Sequence, residues 1–293
     1  LVSSLMAPYL RKFGCYTVPD FIGTRYGGNL ARFCAVVVLA VASFTYVTAQ
    51  INATGTIASR ALQIPFEVGV WFGLLGILLC SMLGGMRAVT WTQVAQYIVL
   101  IIAYLTPVIW MSNKQGFGLI PHFGYGDAVM RLGELEAMHG LGAKATETFK
   151  GLKYLTVPHY EAAGGMGPWK FVTLAFCMMA GTASLPHILM RYFTTPSVKA
   201  ARKSVAWSLF FIFLLYFTAP ALATLTKLQV LDPNLATSII GKSIAEVQAL
   251  DWVQNWSNVG FLAVSDSNGD GILQINEFFM RGDIVVLATP EIA

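Results

Sequence analysis

The residues best suited to chemistry form the run DSNGDGILQINE at 266–277. It fits the pattern D-x-[DN]-x-[DN]-G-x5-E at every fixed position. Asp266, Asn268 and Asp270 offer side-chain oxygens at loop positions 1, 3 and 5, Gly271 permits a sharp turn, Ile272 offers its carbonyl, and Glu277 closes the set as a bidentate ligand. Hard oxygen ligands at this spacing suit Ca2+, so these five residues are the expected calcium ligands. Gln274 stands where a water-mediated ligand is common. A single loop of this kind stiffens a structure rather than senses a signal; the competing reading is an acidic Asn/Gly turn that holds no ion.

A second candidate lies in GTASLPHILMRYFTTPSVKAARKS, 181–204, where small and polar residues interrupt an apolar run. Pro186 cannot donate to the carbonyl four residues back, so the carbonyl of Thr182 is expected to be free. Free backbone at membrane depth survives only against protein or a wet cavity, and discontinuous helices of this kind bind solutes in transporters. Gly181, Ala183 and Ser184 would let a solute or a neighbouring helix approach closely there. Gln50 lies in a second polar stripe with Tyr46 and Thr54, which recurs every four residues and so shares one helix face. The plainer readings are a proline kink whose hydroxyls bond their own turn, and polar glue between helices. His187 reads as a bonded packing residue, and His122, His139 and His159 as solvated loop residues.

These groups sit on elements that belong in a bilayer. Only 12% of residues are charged, 56% are hydrophobic and mean hydropathy is +0.62, far from the soluble balance. The fold class is therefore all-α, a polytopic membrane protein. Complete spans are expected at 34–57, 68–85, 94–112, 169–193 and 204–226, with partial spans at both ends. Three segments, 8–33, the turn at Arg87 and 191–203, hold nine of the 19 basic but one of the 15 acidic residues. That bias makes their side cytoplasmic. Loops 113–167 and 227–283 then face outward, the first with a short amphipathic helix at 128–141. The chain opens on Leu1 and closes on an apolar run at 284–293, and it is read as an internal fragment. Cys15, Cys34, Cys80 and Cys177 show no CxxC or His/Cys grouping, which suggests neither disulfide nor zinc.

Taken together, TVPDFIGTRYGG, GGMRAVTWTQVAQYIVL and SLPHILMRYFTTPSVKAARKS resemble the sodium:solute symporter family, most closely its acetate-permease-like (cation/acetate symporter) bacterial branch. Some members of that branch resemble this chain also in a calcium-type loop before GDIVVLATPEIA. The resemblance implies a leucine-transporter-type fold of two inverted five-helix repeats around a midplane site. On that template residues 1–112 hold the end of core helix 2 and core helices 3–5, and 113–167 an outer loop. Residues 168–226 hold core helices 6 and 7, which the resemblance implies place Met178, Gly181, Thr182 and Ser184 as substrate contacts together with Gln50; 227–283 holds the outer loop with the calcium motif, and 284–293 the start of core helix 8. The family's sodium ligands, on core helices 1 and 8, would lie outside this sequence.

The function implied is sodium-coupled symport of acetate or a similar short monocarboxylate across the bacterial inner membrane, with Na+ as the coupling ion, Ca2+ as a structural ion, and a small organic anion and the lipid bilayer as partners. The alternatives are symport of another small solute, such as proline, and a transporter-like membrane receptor. No nucleophile, base and orienting group converge, so an enzyme is not expected. Nor is a nucleic-acid partner, since the basic clusters are short and explained by topology.

Overall fold

The computed structural model describes residues 7–139, 167–193, 195–235 and 238–293. Among them four helices are long and apolar enough to cross a membrane: Asn29–Leu62, Phe66–Gly85, Arg87–Lys114 and Val198–Leu231. They contain the expected spans 34–57, 68–85, 94–112 and 204–226 and run past them, because helices continue until something stops them. Gly27 and Gly28, at φ 74° and 89°, separate the first span from helix Val18–Tyr26. The second and third spans meet at Gly85 (φ 53°, ψ −157°), a break of one residue. A Cβ added to Gly84 would fall 2.1 Å from the Ala88 methyl, so the chain can bend there only with glycine. The expected fifth span, 169–193, is two helices, Gly167–Ser184 and Pro186–Phe193, with Leu185 between them.

The chain divides into two compact units. In the unit of Leu1–Thr54 and Gly167–Leu214, helices Ala7–Phe13 and Val18–Tyr26 pack on Pro186–Phe193 around buried Leu10, Leu189 and Phe193. Arg11 fixes the end of that helix, its Nη1 donating to the Phe193 carbonyl at 3.1 Å and its Nη2 to the Pro196 carbonyl at 3.3 Å.

The unit of Gly55–Met166 and Leu215–Ala293 carries most of the buried core. Helix Tyr125–Met138 begins three residues before the expected 128 and ends before 141. It lays Ala128, Leu132 and Leu135 on Val108, Met111 and Leu228 of the spanning helices. Glu136 on the same buried face meets Lys227, both side chains 3% exposed, and Arg131 meets Asp232 nearby. Two three-residue strands, Leu262–Val264 and Phe278–Met280, pair antiparallel with Leu262 opposite Met280. Val247, Val253, Trp256, Leu273 and Phe278 bury together beneath them.

A buried ion pair is weak evidence of net stability, but losing one partner strands a charge in apolar surroundings. Glu136→Leu is therefore expected to destabilise the protein by about 3–5 kcal/mol, and Glu136→Leu with Lys227→Met by clearly less, as read by thermal unfolding in detergent. Equal losses in the single and double variants would show that the two charges do not depend on each other.

Candidate functional site

The loop at 266–277 is closed by the strand pair on either side of it, with the Ser265 N–H donating to the Glu277 carbonyl at 3.0 Å. Its carboxylates point inward because backbone amides hold them. Asp266 accepts from the N–H of Gly269 at 2.7 Å and of Gly271 at 3.1 Å. Glu277, 2% exposed, accepts from Ser267 N–H at 2.8 Å and Gln274 N–H at 3.0 Å. Asp270 accepts from Ile272 N–H at 2.8 Å and, at one oxygen, from the amides of Asn268 and Gln274 at 2.9 Å each. Gly271 takes φ 70°, the left-handed value expected of it.

Ligand oxygens of Asp266, Asp270 and Glu277 all lie within 4.8 Å of one another. A point therefore exists within about 2.8 Å of all three, slightly outside the ~2.3–2.6 Å of Ca2+–oxygen bonds. Three carboxylates facing one another have only amide protons between them, and a small hard cation complements that charge. Asn268 now donates to Asp270 and Ile272 pairs across to Ser243. The loop is anchored at two further points: Leu273 is fully buried in the core under the strands, and Ile275 is buried with Val108, Met111 and Leu228.

The helix break falls at Leu185, next to Pro186. The Thr182 carbonyl is not free as expected: it accepts from the Leu185 N–H in a long contact of 3.4 Å. The reason is that a helix end tightens into three-residue turns when its four-residue partner is lost. The Leu185 carbonyl accepts from Ile188 at 3.1 Å and Leu189 at 3.2 Å, which starts the next helix. Pro186 at that start has no N–H to leave unpaired.

Met178, Gly181, Thr182 and Ser184 are exposed on this segment, Met178 at 65%. Both hydroxyls donate to their own helix, Thr182 to the Met178 carbonyl at 2.7 Å and Ser184 to the Gly181 carbonyl at 2.9 Å. Gln50 is exposed on helix Asn29–Leu62 in the same unit, and among the described residues its side chain has no hydrogen bond to Thr182 or Ser184. The break is thus gathered in one place, and Gln50 is not joined to it. The side chain of His187 and all of His159 lie outside the described residues. His122 stacks on Phe217 with centroids 4.3 Å apart.

One cluster escaped sequence reasoning. Arg60 Nη2 donates to both Glu291 oxygens at 3.0 Å, and its guanidinium lies 5.2 Å from the Trp256 ring centroid. The partners are 231 residues apart, and no local spacing announces them. Glu136 did leave a signal: a carboxylate on the same face as Leu132 and Leu135 needs a buried partner.

The family model described as the sodium:solute symporter family matches residues 1–245. An uncharacterized symporter of Cupriavidus necator is 36% identical across all of this chain and 55% of its own length. A monocarboxylic acid transporter of Corynebacterium glutamicum is 29% identical over 71% of this chain and 37% of its own. An uncharacterized symporter of Bacillus subtilis is 26% identical over 83% and 45%. The chain thus spans about half the length of the curated relatives it matches. No solved structure matches it.

The Ile272 N–H, with further help from Asn268 and Gln274, holds the Asp270 carboxyl below its ordinary 3.8. A depressed carboxylate orders the loop above the ordinary value and ceases to do so as pH falls through the lowered one. Protection of the Ile272 amide, its exchange rate compared with that of an unstructured peptide at the same pH, should accordingly be high at neutral pH and be lost only below pH 3.8. Asp270→Ala should remove that protection at neutral pH and change little once the wild-type carboxyl is protonated; unchanged protection at neutral pH in that variant would remove the carboxylate from the account.

Proposed function

Because the chain belongs to the sodium:solute symporter family, we propose that it takes part in carrying acetate or a similar short monocarboxylate into the cell together with Na+. The protein is a multi-pass membrane protein, and the observation that carries the proposal is the helix break at Leu185 with Thr182 and Ser184 beside it. A carboxylate can be held there without a buried arginine. The positive end of helix Pro186–Phe193 opens at the break, and two hydroxyls stand next to it. Both hydroxyl protons now rest on helix carbonyls, so binding an anion turns each outward, at the cost of one weak internal bond apiece. Gln50 supplies further amide donors if the bound state brings its helix face to the solute. The C. glutamicum relative, a monocarboxylic acid transporter, favours a monocarboxylate over an amino acid. No covalent step is required: alternating access moves the solute by rocking helices around the site.

Within the same reading, 266–277 holds a structural Ca2+ through Asp266, Asn268, Asp270, the Ile272 carbonyl and Glu277. The support is the convergence of three carboxylates on one point and the two apolar anchors, Leu273 and Ile275, that hold the loop against the rest of its unit. Binding requires Asn268 to release Asp270 and face the ion, and the amides on Glu277 to yield to it. The ion would order the loop and stiffen the packed segment around it.

Labelled acetate uptake into proteoliposomes is expected to need an inward Na+ gradient, to be competed by other short monocarboxylates, and to fall about tenfold or more in Thr182→Ala with Ser184→Ala, as two lost hydrogen bonds imply. Exclusion of acetate under every gradient while another solute enters would overturn the substrate assignment. Calorimetric titration with Ca2+ is expected to give a Kd of about 10⁻⁴–10⁻³ M, typical of outward-facing modules, weakened at least about tenfold in Glu277→Gln. Absence of a binding heat, together with an unchanged melting temperature in Ca2+, would remove the ion from the loop.

A further inference from the structure

We propose that the slot between helices Ala7–Phe13, Val18–Tyr26 and Pro186–Phe193 binds an anionic phospholipid of the cytoplasmic leaflet, an acyl chain lying in the slot and the phosphate held by Lys12 and Arg25. The slot is open to the outside along one side and has a volume of about 740 Å³, with walls that include Leu10, Phe13, Val18, Phe21, Ile22 and Leu189. That volume falls in the range of about 300–1,000 Å³ that ligand sites occupy. Apolar walls of this extent exclude a free soluble anion as the best occupant, since it would desolvate in the slot without contacts to replace its water.

Charge selects the headgroup. Lys12 and Arg25 line the same cavity, both are exposed, and among the described residues neither has an acidic partner. The other charges nearby are already engaged. Arg11 is spent on the Phe193 and Pro196 carbonyls, and Asp20 accepts from Thr17 at 2.7 Å and meets Arg32 at 3.6 Å. The slot therefore presents two free cations over an apolar interior, the complement of a phosphodiester with an acyl tail. It also lies on the basic side of the membrane, where anionic lipids attract Lys and Arg at the surface. Tyr9 and Tyr26, 66% and 73% exposed, lie on the same two short helices, and Tyr16, 86% exposed, in the turn between them. Amphipathic rings of this kind settle at headgroup level, which sets the slot's depth at the interface.

The test is photolabelling of the protein in phosphatidylcholine nanodiscs, using phosphatidylglycerol with a diazirine in its acyl chain and mapping the labelled peptides by mass spectrometry. Label is expected in the peptides carrying Phe13, Phe21 and Leu189, displaced by unlabelled phosphatidylglycerol and not by phosphatidylcholine. Lys12→Gln with Arg25→Gln should lower the apparent affinity about thirtyfold, about fivefold for each surface cation. Lys12→Arg with Arg25→Lys should keep it, which separates lost charge from lost folding. Equal labelling by a phosphatidylcholine probe, indifference to the neutral variant, or displacement by glycerol phosphate alone would each overturn the proposal.

Discussion

The structure depends on one constraint: a backbone group inside a bilayer has no water to bond, so each helix must satisfy its own amides and carbonyls or stop at a place that does so for it. Both interruptions within the apolar runs meet it economically. At Gly85 the chain departs from helical geometry for a single residue, and the absence of a Cβ at Gly84 lets Ala88 close over the bend. At Leu185 the lost four-residue bond is replaced by a three-residue one to Thr182, and the Leu185 carbonyl takes up two amides of the next helix. Proline at the head of that helix removes one of the donors that would have been orphaned. The polarity left at the break is therefore mostly hydroxyl, in Thr182 and Ser184, and hydroxyls can exchange an internal bond for a solute without unfolding anything.

Outside the spans the same requirement is met by packing. Helix Tyr125–Met138 buries a carboxylate only where Lys227 answers it, and its apolar face shares a cluster with Ile275 of the acidic loop. Leu273, two residues earlier, belongs to the neighbouring cluster under the strand pair. Successive side chains of one short loop thus pin two cores. Order in the loop and order in its unit are one property, which is why a loop of exposed aspartates is worth folding against buried leucine, isoleucine and glutamate.

Much of this was legible in the sequence. Hydropathy located the four long spans, because a lipid-facing helix has to be apolar over its whole length. The proline rule located the break at 185–186, and the fixed offsets of Asp266, Asp270 and Glu277 foretold that their carboxylates would meet. What could not be read has physical reasons. Strands Leu262–Val264 and Phe278–Met280 are three residues long, too short for a periodicity to register. The contact of Arg60 with Glu291 joins residues 231 apart. The Thr182 carbonyl is not free because a tighter turn replaces the bond that proline removes, and the proline rule alone describes only the loss. The four-residue stripe through Gln50 defines a helix face, and a face alone does not say which neighbour it meets.

The placement of charge bears on why such a chain would couple an anion to a cation. Residues 34–57, 68–85, 94–112 and 204–226 contain no Asp, Glu, Lys or Arg, and in 169–193 the only two, Lys170 and Arg191, lie near its ends. An anion passing through these helices would find dipoles and hydroxyls but no fixed positive charge in mid-membrane. Dipoles orient a carboxylate well, yet they offset only part of the cost of taking it out of water. A fixed lysine or arginine would offset more, but it would hold the anion in a deep well and would itself need a partner whenever the site stood empty. A mobile cation avoids both difficulties, because it arrives with the solute, neutralises it for the crossing and leaves with it. On the proposed reading, the uncharged interior of these spans makes a co-transported cation the natural complement of a carboxylate beside them.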